Sequence, residues 1–204
     1  MKNKILITGG SGYIAGSIAS FLSQYENYEI SICSSSEIKS KLKINNIKVD
    51  WNKKASLKNI CSGKDIIIHC ASPDAIFSKN HPLESYRFSD NILNTFLEEA
   101  IENEVQKFIY FSSAHVYKSK LEGILDEESP ITPTQPYGIS KKIAEQTLLK
   151  NKDLIEINII RLSNTFGTPS NDNLSCWKLV VNDFCKQAVL NKKIVINSDG
   201  SQIR

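Results

Sequence analysis

Apolar and polar positions follow two different patterns along the chain. Short apolar runs, such as the β-branched run at residues 66–68, are typical of parallel strands that are covered on both faces. Elsewhere, Leu93, Phe96, Leu97 and Ala100 recur at three- and four-residue spacing, which predicts a helix with one apolar face. The two patterns therefore predict both strands and helices within one chain.

The predicted strands and helices follow one another in turn. Strands are predicted at residues 4–8, 29–33, 48–50, 65–70, 107–112, 155–161 and 193–196. Helices are predicted at residues 12–25, 82–103, 137–150 and 179–191. This alternation indicates a parallel sheet with helices on both faces, and right-handed crossovers make the sheet doubly wound. The expected class is therefore α/β.

Composition narrows the class of protein further. The chain has 204 residues, 41% of them hydrophobic and 23% charged, with a formal net charge of +3. The apolar fraction excludes intrinsic disorder, and no apolar run approaches the ~20 residues that span a bilayer. The run after Met1 is too short for a secretory signal. Since the small charge is spread along the chain, neither a nucleic acid nor a membrane is expected as a partner.

Five cysteines are present, and no Cys-x-x-Cys pair occurs among them. An odd number without such spacing predicts reduced, mostly buried thiols, and we expect a cytoplasmic protein without a metal site. The cysteines are Cys33, Cys61, Cys70, Cys176 and Cys185.

A glycine-rich turn joins the first predicted strand to the first helix. Gly9, Gly12 and Ala15 fit the spacing Gly-x-x-Gly-x-x-Ala. In such a turn the first glycine permits the tight bend, the second admits a pyrophosphate, and the small third residue lets helix and strand pack closely. An ordinary turn would show the same glycines, but this position favours a dinucleotide site that includes Tyr13 and Ile14. No Gly-Lys-Ser/Thr follows, which excludes a Walker loop.

The end of the second strand bears on the choice of dinucleotide. An acidic residue there would bind the ribose 2′-hydroxyl of NAD, and Ser34 occupies that position, followed by Ser35. Hydroxyl groups with Lys39 and Lys41 nearby suit a 2′-phosphate, so NADP is favoured slightly over NAD. In the alternative interpretation, the serines only cap a helix that begins near Glu37.

A tyrosine and a lysine lie four residues apart at the start of the third predicted helix. Tyr137 and Lys141 share a helix face, where a cation lowers the pKa of a phenol and makes it a better base. Alone, this pair also describes a surface tyrosine one turn from a solvated lysine. Ser112 and Ser113 end the preceding strand, at the edge of an α/β sheet where ligands bind.

Three motifs occur in one order along the chain: Thr-Gly-Gly-Ser-Gly-Tyr-Ile from residue 8, Ser-Ala-His-Val-Tyr from residue 113, and Tyr-Gly-Ile-Ser-Lys from residue 137. In these motifs the chain resembles the extended short-chain dehydrogenase/reductase family, the NAD(P)-dependent nucleotide-sugar epimerases and dehydratases. The resemblance spans essentially the whole chain and implies a Rossmann-like sheet followed by a small C-terminal substrate-binding lobe.

The resemblance implies catalytic and substrate-binding roles for five residues. Tyr137 would be the acid/base on a sugar hydroxyl or ketone. Lys141 would bind the nicotinamide ribose and lower the pKa of Tyr137, and Ser113 would hydrogen-bond the reacting oxygen. Asn164 and Arg204 would contact a nucleotide-sugar substrate, Arg204 at its diphosphate.

The resemblance also implies further cofactor contacts. Asp50 and Trp51, after the third strand, would lie near the adenine. Cys70, Ala71 and Ser72, after the fourth strand, would line the cofactor with backbone and small side chains.

One departure from the family pattern bears on the reaction. The dehydratases carry an Asp-Glu pair directly after the catalytic hydroxyl, whereas this chain has Ala114 and His115 there. Dehydration is therefore not expected. His115 would serve either as a second acid/base or as a structural or substrate contact. His69 is expected to be a satisfied residue at a strand end.

Three functions follow from the resemblance. The leading one is a nucleotide-sugar epimerase, in which Tyr137 takes a hydroxyl proton while hydride passes to the nicotinamide and returns to the other face of the ketosugar. The alternative is an NADPH-dependent keto-sugar reductase, which Ser34 favours. A catalytically inactive, cofactor-binding regulator is the third, and the intact Ser113, Tyr137 and Lys141 argue against it.

The resemblance divides the chain into residues 1–167, a Rossmann cofactor domain, and residues 168–204, the start of the substrate lobe. Because members of this family are longer chains, the lobe is expected to be incomplete. The resemblance also implies a homodimer, since family members pair through the helices at residues 82–103 and 137–150.

Overall fold

Six parallel strands form one sheet in the order β3-β2-β1-β4-β5-β6. The structure is a computed structural model and describes residues 2–36, 44–118, 123–170 and 175–199. The strands are β1 (Asn3–Thr8), β2 (Tyr28–Ser34), β3 (Asn45–Lys48), β4 (Ile66–His69), β5 (Lys107–Ser113) and β6 (Glu156–Leu162). The order reverses between β1 and β4, so a crevice opens at the carboxyl ends of these two strands. The predicted doubly wound, Rossmann-like sheet is confirmed.

Helices surround the sheet. They are α1 (Tyr13–Leu22), α2 (Lys54–Leu57), α3 (Ala75–Asn80), α4 (Pro82–Arg87), α5 (Leu93–Glu102), α6 (Pro136–Leu149) and α7 (Val180–Asn191), with a π-helical turn (Phe88–Ile92) between α4 and α5. In the described part of the chain, no helix has the length and apolarity that crossing a membrane requires.

Each face of the sheet carries its own apolar core. On one face, Leu6 packs with Phe96 of α5 and Leu148 of α6. On the other face, Ile7 packs with Ala19 of α1. Neighbouring residues of β1 point to opposite faces, and both faces are buried, which explains why the strand is a continuous apolar run.

Two predicted strands differ from the structure. The third lies at Asn45–Lys48 rather than at residues 48–50, because the ladder with β2 runs from Ser31 to Ser34 and ends there. The seventh, at residues 193–196, does not pair with β6. Instead, the Val195 N–H donates to Gln187 of α7 at 2.7 Å, which turns this half-exposed segment back along the helix.

The predicted helix at residues 82–103 is interrupted in the structure, and two short helices that were not predicted precede it. The π-helical turn interrupts the long predicted helix at Phe88–Ile92. The short helices α2 and α3 were not predicted, since neither is long enough to show a periodicity. The Asp74 carboxylate caps α3 by accepting the Phe77 N–H at 2.7 Å. The remaining predicted elements are confirmed within three residues at their ends.

Candidate active site

The glycine turn lies against the end of β4. Gly9 has a φ of +73°, and a Cβ there would stand 3.0 Å from the Ala71 backbone nitrogen. The Gly10 N–H donates to the Cys33 carbonyl at 2.9 Å, and the Gly12 N–H donates to the Gly9 carbonyl at 2.7 Å. Only glycine combines this backbone conformation with such close contact. The turn is therefore fixed between β2 and β4, with α1 starting directly after it.

A cleft of about 330 Å³ opens at this turn. Glycines and small side chains form its floor, and Trp51, Phe77 and Phe88 give it apolar walls. Backbone without side chains at a helix N-terminus suits a pyrophosphate, and apolar walls suit a planar ring. The residues present therefore fit a dinucleotide. The other lining residues are Gly9, Ser11, Gly12, Ser34, Ser35, Cys70, Ala71, Ser72 and Pro73.

Most of the residues expected at the cofactor line this cleft, and five of them do not: Tyr13, Ile14, Asp50, Tyr137 and Lys141. The Tyr13 hydroxyl instead donates to the Gly167 carbonyl at 3.0 Å, after the end of β6. Ile14 lies on α1 outside the lining set. The Asp50 carboxylate accepts the Asn52 N–H at 3.1 Å. Asp50 therefore organises the turn after β3.

Sequence reasoning missed Ser11, Pro73, Phe77 and Phe88 as lining residues. Ser11 lies inside the glycine motif, so the motif itself was the available signal. Phe77 and Phe88 belong to α3 and the π-helical turn, and neither element was predicted. Their place in the cleft follows from how these helices pack.

The Ser34 hydroxyl is engaged inside the protein. Ser34 is buried, and its Oγ lies 2.6 Å from Ser11 Oγ and accepts the Ser36 N–H at 3.2 Å. Ser35 is exposed and lines the cleft. Lys39 and Lys41, expected near a 2′-phosphate, lie outside the described residues.

A buried hydrogen-bond cluster holds the end of β4 beneath the cleft. Thr8 Oγ1 accepts the N–H groups of Cys70 and Ala71, each at 3.1 Å. Its own proton is therefore free to be donated to His69 Nδ1 at 3.0 Å. Burial lowers the pKa of His69 to about 3, so the imidazole is neutral. His69 is a satisfied residue at a strand end, as expected.

Tyr137 stands in the first turn of α6, after Pro136 at a position where proline begins helices well. Burial raises the pKa of Tyr137, a hydrogen bond with the Ser113 side chain lowers it, and the charge of Asp74 raises it. The net direction is upwards. Burial outweighs the other influences on this phenol, and the lowering of its pKa by Lys141 stays a prediction.

Lys141 is 3% exposed, and its Nζ donates to the Phe111 carbonyl at 2.9 Å. The Nζ atom lies 5.7 Å from the Tyr137 ring centroid and 5.0 Å from that of Tyr110. Burial lowers the pKa of Lys141 to about 8, while Cys70 and Glu145 raise it. The ammonium group is therefore held charged, close to the phenol, at neutral pH.

His115 completes this group of side chains. It is exposed in the short 3₁₀ turn Ala114–Val116, and its backbone N–H donates to Ser113 Oγ at 3.2 Å. Its ring centroid lies 5.8 Å from that of Tyr137. The structure thus brings Ser113, His115, Tyr137 and Lys141 together at the carboxyl edge of the sheet.

Of Asn164 and Arg204, the two residues expected to bind the nucleotide sugar, the structure describes only Asn164. Asn164 is exposed in the segment after β6. Arg204 lies outside the described residues. Within the described part of the chain, no group of three or more acidic, histidine or cysteine side chains is arranged to hold a metal ion.

A family model for NAD dependent epimerases and dehydratases matches residues 5–204. The chain therefore belongs to this NAD dependent epimerase/dehydratase family. The putative UDP-glucose 4-epimerase of Methanocaldococcus jannaschii is 29% identical, over 98% of this chain and 68% of its own. The dTDP-D-glucose 4,6-dehydratase of Homo sapiens is 28% identical, over 98% of this chain and 61% of its own.

A solved relative has the same architecture. The UDP-N-acetylglucosamine 4-epimerase from Methanobrevibacter ruminantium M1, in complex with UDP-N-acetylmuramic acid, is 26% identical with a TM-score of 0.82. The alignment covers 99% of this chain and 68% of that one. The chain thus spans about two thirds of the length of these relatives. Because epimerases and dehydratases both occur among them, the reaction must be argued from this chain's own residues.

Proposed function

We propose that the chain is the cofactor-binding and catalytic part of an NAD(P)-dependent nucleotide-sugar 4-epimerase. The observation that carries this proposal is the grouping of Ser113, Tyr137 and Lys141 beside a glycine-lined cleft. Ala114 and His115 follow Ser113 where the dehydratases are expected to have two carboxylates. Without an acid/base pair there, removal of water from the sugar lacks its catalyst.

The glycine turn and the end of β4 would hold the dinucleotide, which supplies a hydride acceptor and donor when bound. Tyr137 would take the proton from a sugar hydroxyl and return it. The Ser113 hydroxyl, which lies close to Tyr137, would hold the reacting oxygen in line with the phenol. The Lys141 ammonium would stabilise the phenolate, since a cation nearby favours the ionised form of the phenol.

The His115 ring centroid lies 5.8 Å from that of Tyr137, and we propose that His115 contacts the sugar. A His115→Gln variant that keeps the rate but raises KM would support this contact. If the rate falls and one arm of the pH–rate profile disappears, His115 would instead have the second acid/base role.

The proposed reaction is tested by Tyr137→Phe, which removes only the hydroxyl. Interconversion of UDP-sugar epimers should fall by at least ~100-fold, the usual contribution of a general acid/base. Tyr25→Phe, at an exposed tyrosine that does not line the cleft, should leave the rate unchanged. Unchanged turnover in Tyr137→Phe would disprove the catalytic proposal, and mass spectrometry of co-purified compounds would identify the nucleotide.

We propose NADP as the preferred cofactor, on the ground that Ser34 and Ser35 offer no carboxylate at the end of β2 to repel a 2′-phosphate. Ser35→Asp should weaken NADP binding about tenfold and leave NAD binding within about twofold, because one added negative charge repels only the 2′-phosphate. Equal or tighter binding of NAD by the unaltered chain contradicts the proposal.

The same serine observation favours a second candidate, an NADPH-dependent keto-sugar reductase. Cofactor turnover separates the two reactions. An epimerase regenerates its own cofactor in every cycle, whereas a reductase consumes NADPH in equal amount to its product.

The division at residue 167, a homodimer and a cytoplasmic location are also proposed. The Gly167 N–H donates to Asn182 of α7 at 3.0 Å, which supports a substrate lobe starting there. All five cysteines are free thiols, which supports a reducing compartment. Light scattering would measure the oligomeric state, and cell fractionation the location.

A further inference from the structure

A carboxylate is buried inside the fold beside the candidate catalytic residues. Glu145 is 2% exposed and lies one helical turn after Lys141 on α6. Arg161 of β6 binds it in fork geometry, with Nη2 at 2.9 Å from Oε2 and Nε at 3.1 Å from Oε1. The Ser112 hydroxyl also donates to Oε1, at 2.5 Å. Glu145 is therefore fully engaged by β5 and β6.

The other side of the Arg161 guanidinium reaches a loop. Its Nη1 donates to the Tyr117 hydroxyl at 2.9 Å and to the Glu127 carbonyl at 3.2 Å. The Tyr117 hydroxyl donates in turn to the Asp126 carbonyl at 2.8 Å. The guanidinium carbon also lies 5.2 Å from the Tyr117 ring centroid. One arginine thus links two strands, a helix and a loop.

Two of these partners are neighbours of candidate catalytic residues. Ser112 directly precedes Ser113, and it pairs with Arg161 in the register of β5 and β6. Glu145 and Lys141 share one face of α6, since four residues make one turn. A shift of the carboxylate would therefore move the end of β5 and the start of α6 relative to each other.

The remaining partners belong to the chain segments next to His115 and Tyr137. Tyr117 ends the 3₁₀ turn that carries His115. Asp126 belongs to the loop that leads into α6 and Tyr137. The Arg161 contacts therefore hold the turn that carries His115 and the loop that precedes α6.

We propose that Glu145 and Arg161 are positioning residues, which hold Ser113, Tyr137 and Lys141 in the relative arrangement that the proposed reaction needs. A buried ion pair is weak evidence for stability, since well-packed apolar residues often serve as well or better. Stability alone therefore gives little reason for six hydrogen bonds at this place. Alignment of β5, α6 and the loop gives a specific reason for them, because small misplacements of catalytic groups lower the rate by large factors.

The electrostatics agree with this geometry. The charge of Glu145 raises the pKa of Lys141 against the effect of burial, so the carboxylate helps to keep the ammonium charged. The titratable side chains that face Lys141 are His69, Cys70, Tyr110, Tyr137 and Glu145.

A first test deletes one hydroxyl from this arrangement. Tyr117→Phe removes the bonds to Arg161 and Asp126 and keeps the ring, so the variant should fold. We expect kcat to fall at least about tenfold, while substrate KM and dinucleotide affinity stay within about twofold. Tyr25→Phe is the control. A kcat equal to that of the unaltered chain, or a loss confined to KM, would overturn the proposal.

A second test does not depend on the proposed function, because it needs no turnover. Glu145→Gln should move the Lys141 titration, followed by NMR of ¹³Cε-labelled lysine, below about 8. The matched control is Glu156→Gln, which removes an ion pair with Lys107 across the same two strands at their other ends. It should leave the Lys141 titration in place.

The two tests separate failure of the inference from failure of the proposed function, on which its catalytic part rests. If no nucleotide sugar is converted by the unaltered chain, the proposed function fails and the Lys141 titration still decides the pairing. An unmoved titration in a folded Glu145→Gln would overturn the inference. If that variant does not fold, amide hydrogen exchange of Tyr117→Phe is compared with that of the unaltered chain. An increase in exchange rate that is larger at residues 113–117 than at β1 supports the inference, and an equal increase at both contradicts it.

Discussion

The carbonyl oxygen of His115 occupies the space that a side chain on residue 138 would need. A Cβ built on Gly138 would overlap this oxygen and would stand 2.9 Å from the Pro133 side chain. The start of α6 therefore lies directly against the turn that carries His115. The glycine beside Tyr137 is required by this contact between two segments.

Gly138→Ala is therefore expected to destabilise the protein, although alanine is ordinarily the better helix former by about 1 kcal/mol. Backbone atoms of His115 have to move, which displaces Tyr137 and lowers turnover. Urea unfolding and an epimerisation assay measure both effects. Gly16→Ala in α1 is the control, since its Cβ would overlap only the Ser170 hydroxyl, which can rotate away, and its other neighbours stand at 3.4 Å or more. A Gly138→Ala variant as stable and active as the unaltered chain would contradict this packing argument.

Removal of the buried charge at Lys141 should make the protein more stable and inactive. Burial lowers the pKa of Lys141 from 10.5 to about 8, which corresponds to ~3 kcal/mol of unfavourable free energy at pH 7. Lys141→Met removes this cost and loses one hydrogen bond of about 1 kcal/mol. We expect a net gain of ~2 kcal/mol in urea unfolding at pH 7.

The pH dependence of this gain has a definite sign. Below pH 8 the lysine is protonated in both states, so the full cost is present. Between pH 8 and 10.5 the unfolded state binds more protons, and the stability of the unaltered chain rises relative to the variant. The gain should therefore shrink as the pH rises to 10. Lys79→Met, at an exposed lysine, is the control for the loss of a lysine side chain.

Thr8 is expected to be essential for the end of β4. Thr8→Val keeps the side-chain shape but leaves His69 and the N–H groups of Cys70 and Ala71 without their partner. Each unsatisfied buried group costs about 1–3 kcal/mol, so unfolding should become easier by at least ~2 kcal/mol. Dinucleotide affinity should fall as well, because this backbone lines the cleft. Thr8→Ser, which keeps the hydroxyl, should restore most of both quantities, and equal losses in the two variants would rule out the hydrogen-bond explanation.

The hydrogen bond from Tyr13 to Gly167 connects the glycine turn to the segment that carries Asn164. Tyr13→Phe should weaken nucleotide-sugar binding by several-fold, in line with the ~1 kcal/mol of one hydrogen bond, while dinucleotide affinity stays unchanged. Calorimetric titration of each ligand measures the two affinities. The opposite pattern, with only the dinucleotide weakened, would place Tyr13 in the cofactor site.

Local patterns along the sequence determined a large part of this protein. The alternation of strands and helices predicted the doubly wound sheet, because neighbouring residues decide periodicity. The glycines at 9 and 12 predicted a cradle for a dinucleotide, since their spacing acts within one turn. The four-residue spacing of Tyr137 and Lys141 placed both on one helix face.

Only the tertiary structure decided how these parts meet. Ser112, Glu145 and Arg161 are far apart in sequence and become one hydrogen-bonded group when β5, α6 and β6 pack. Burial, which no local pattern specifies, raises the pKa of Tyr137. The walls formed by Phe77 and Phe88 likewise depend on helix packing. Periodicity and turn chemistry are local properties, whereas desolvation and long-range contacts exist only after the chain has folded.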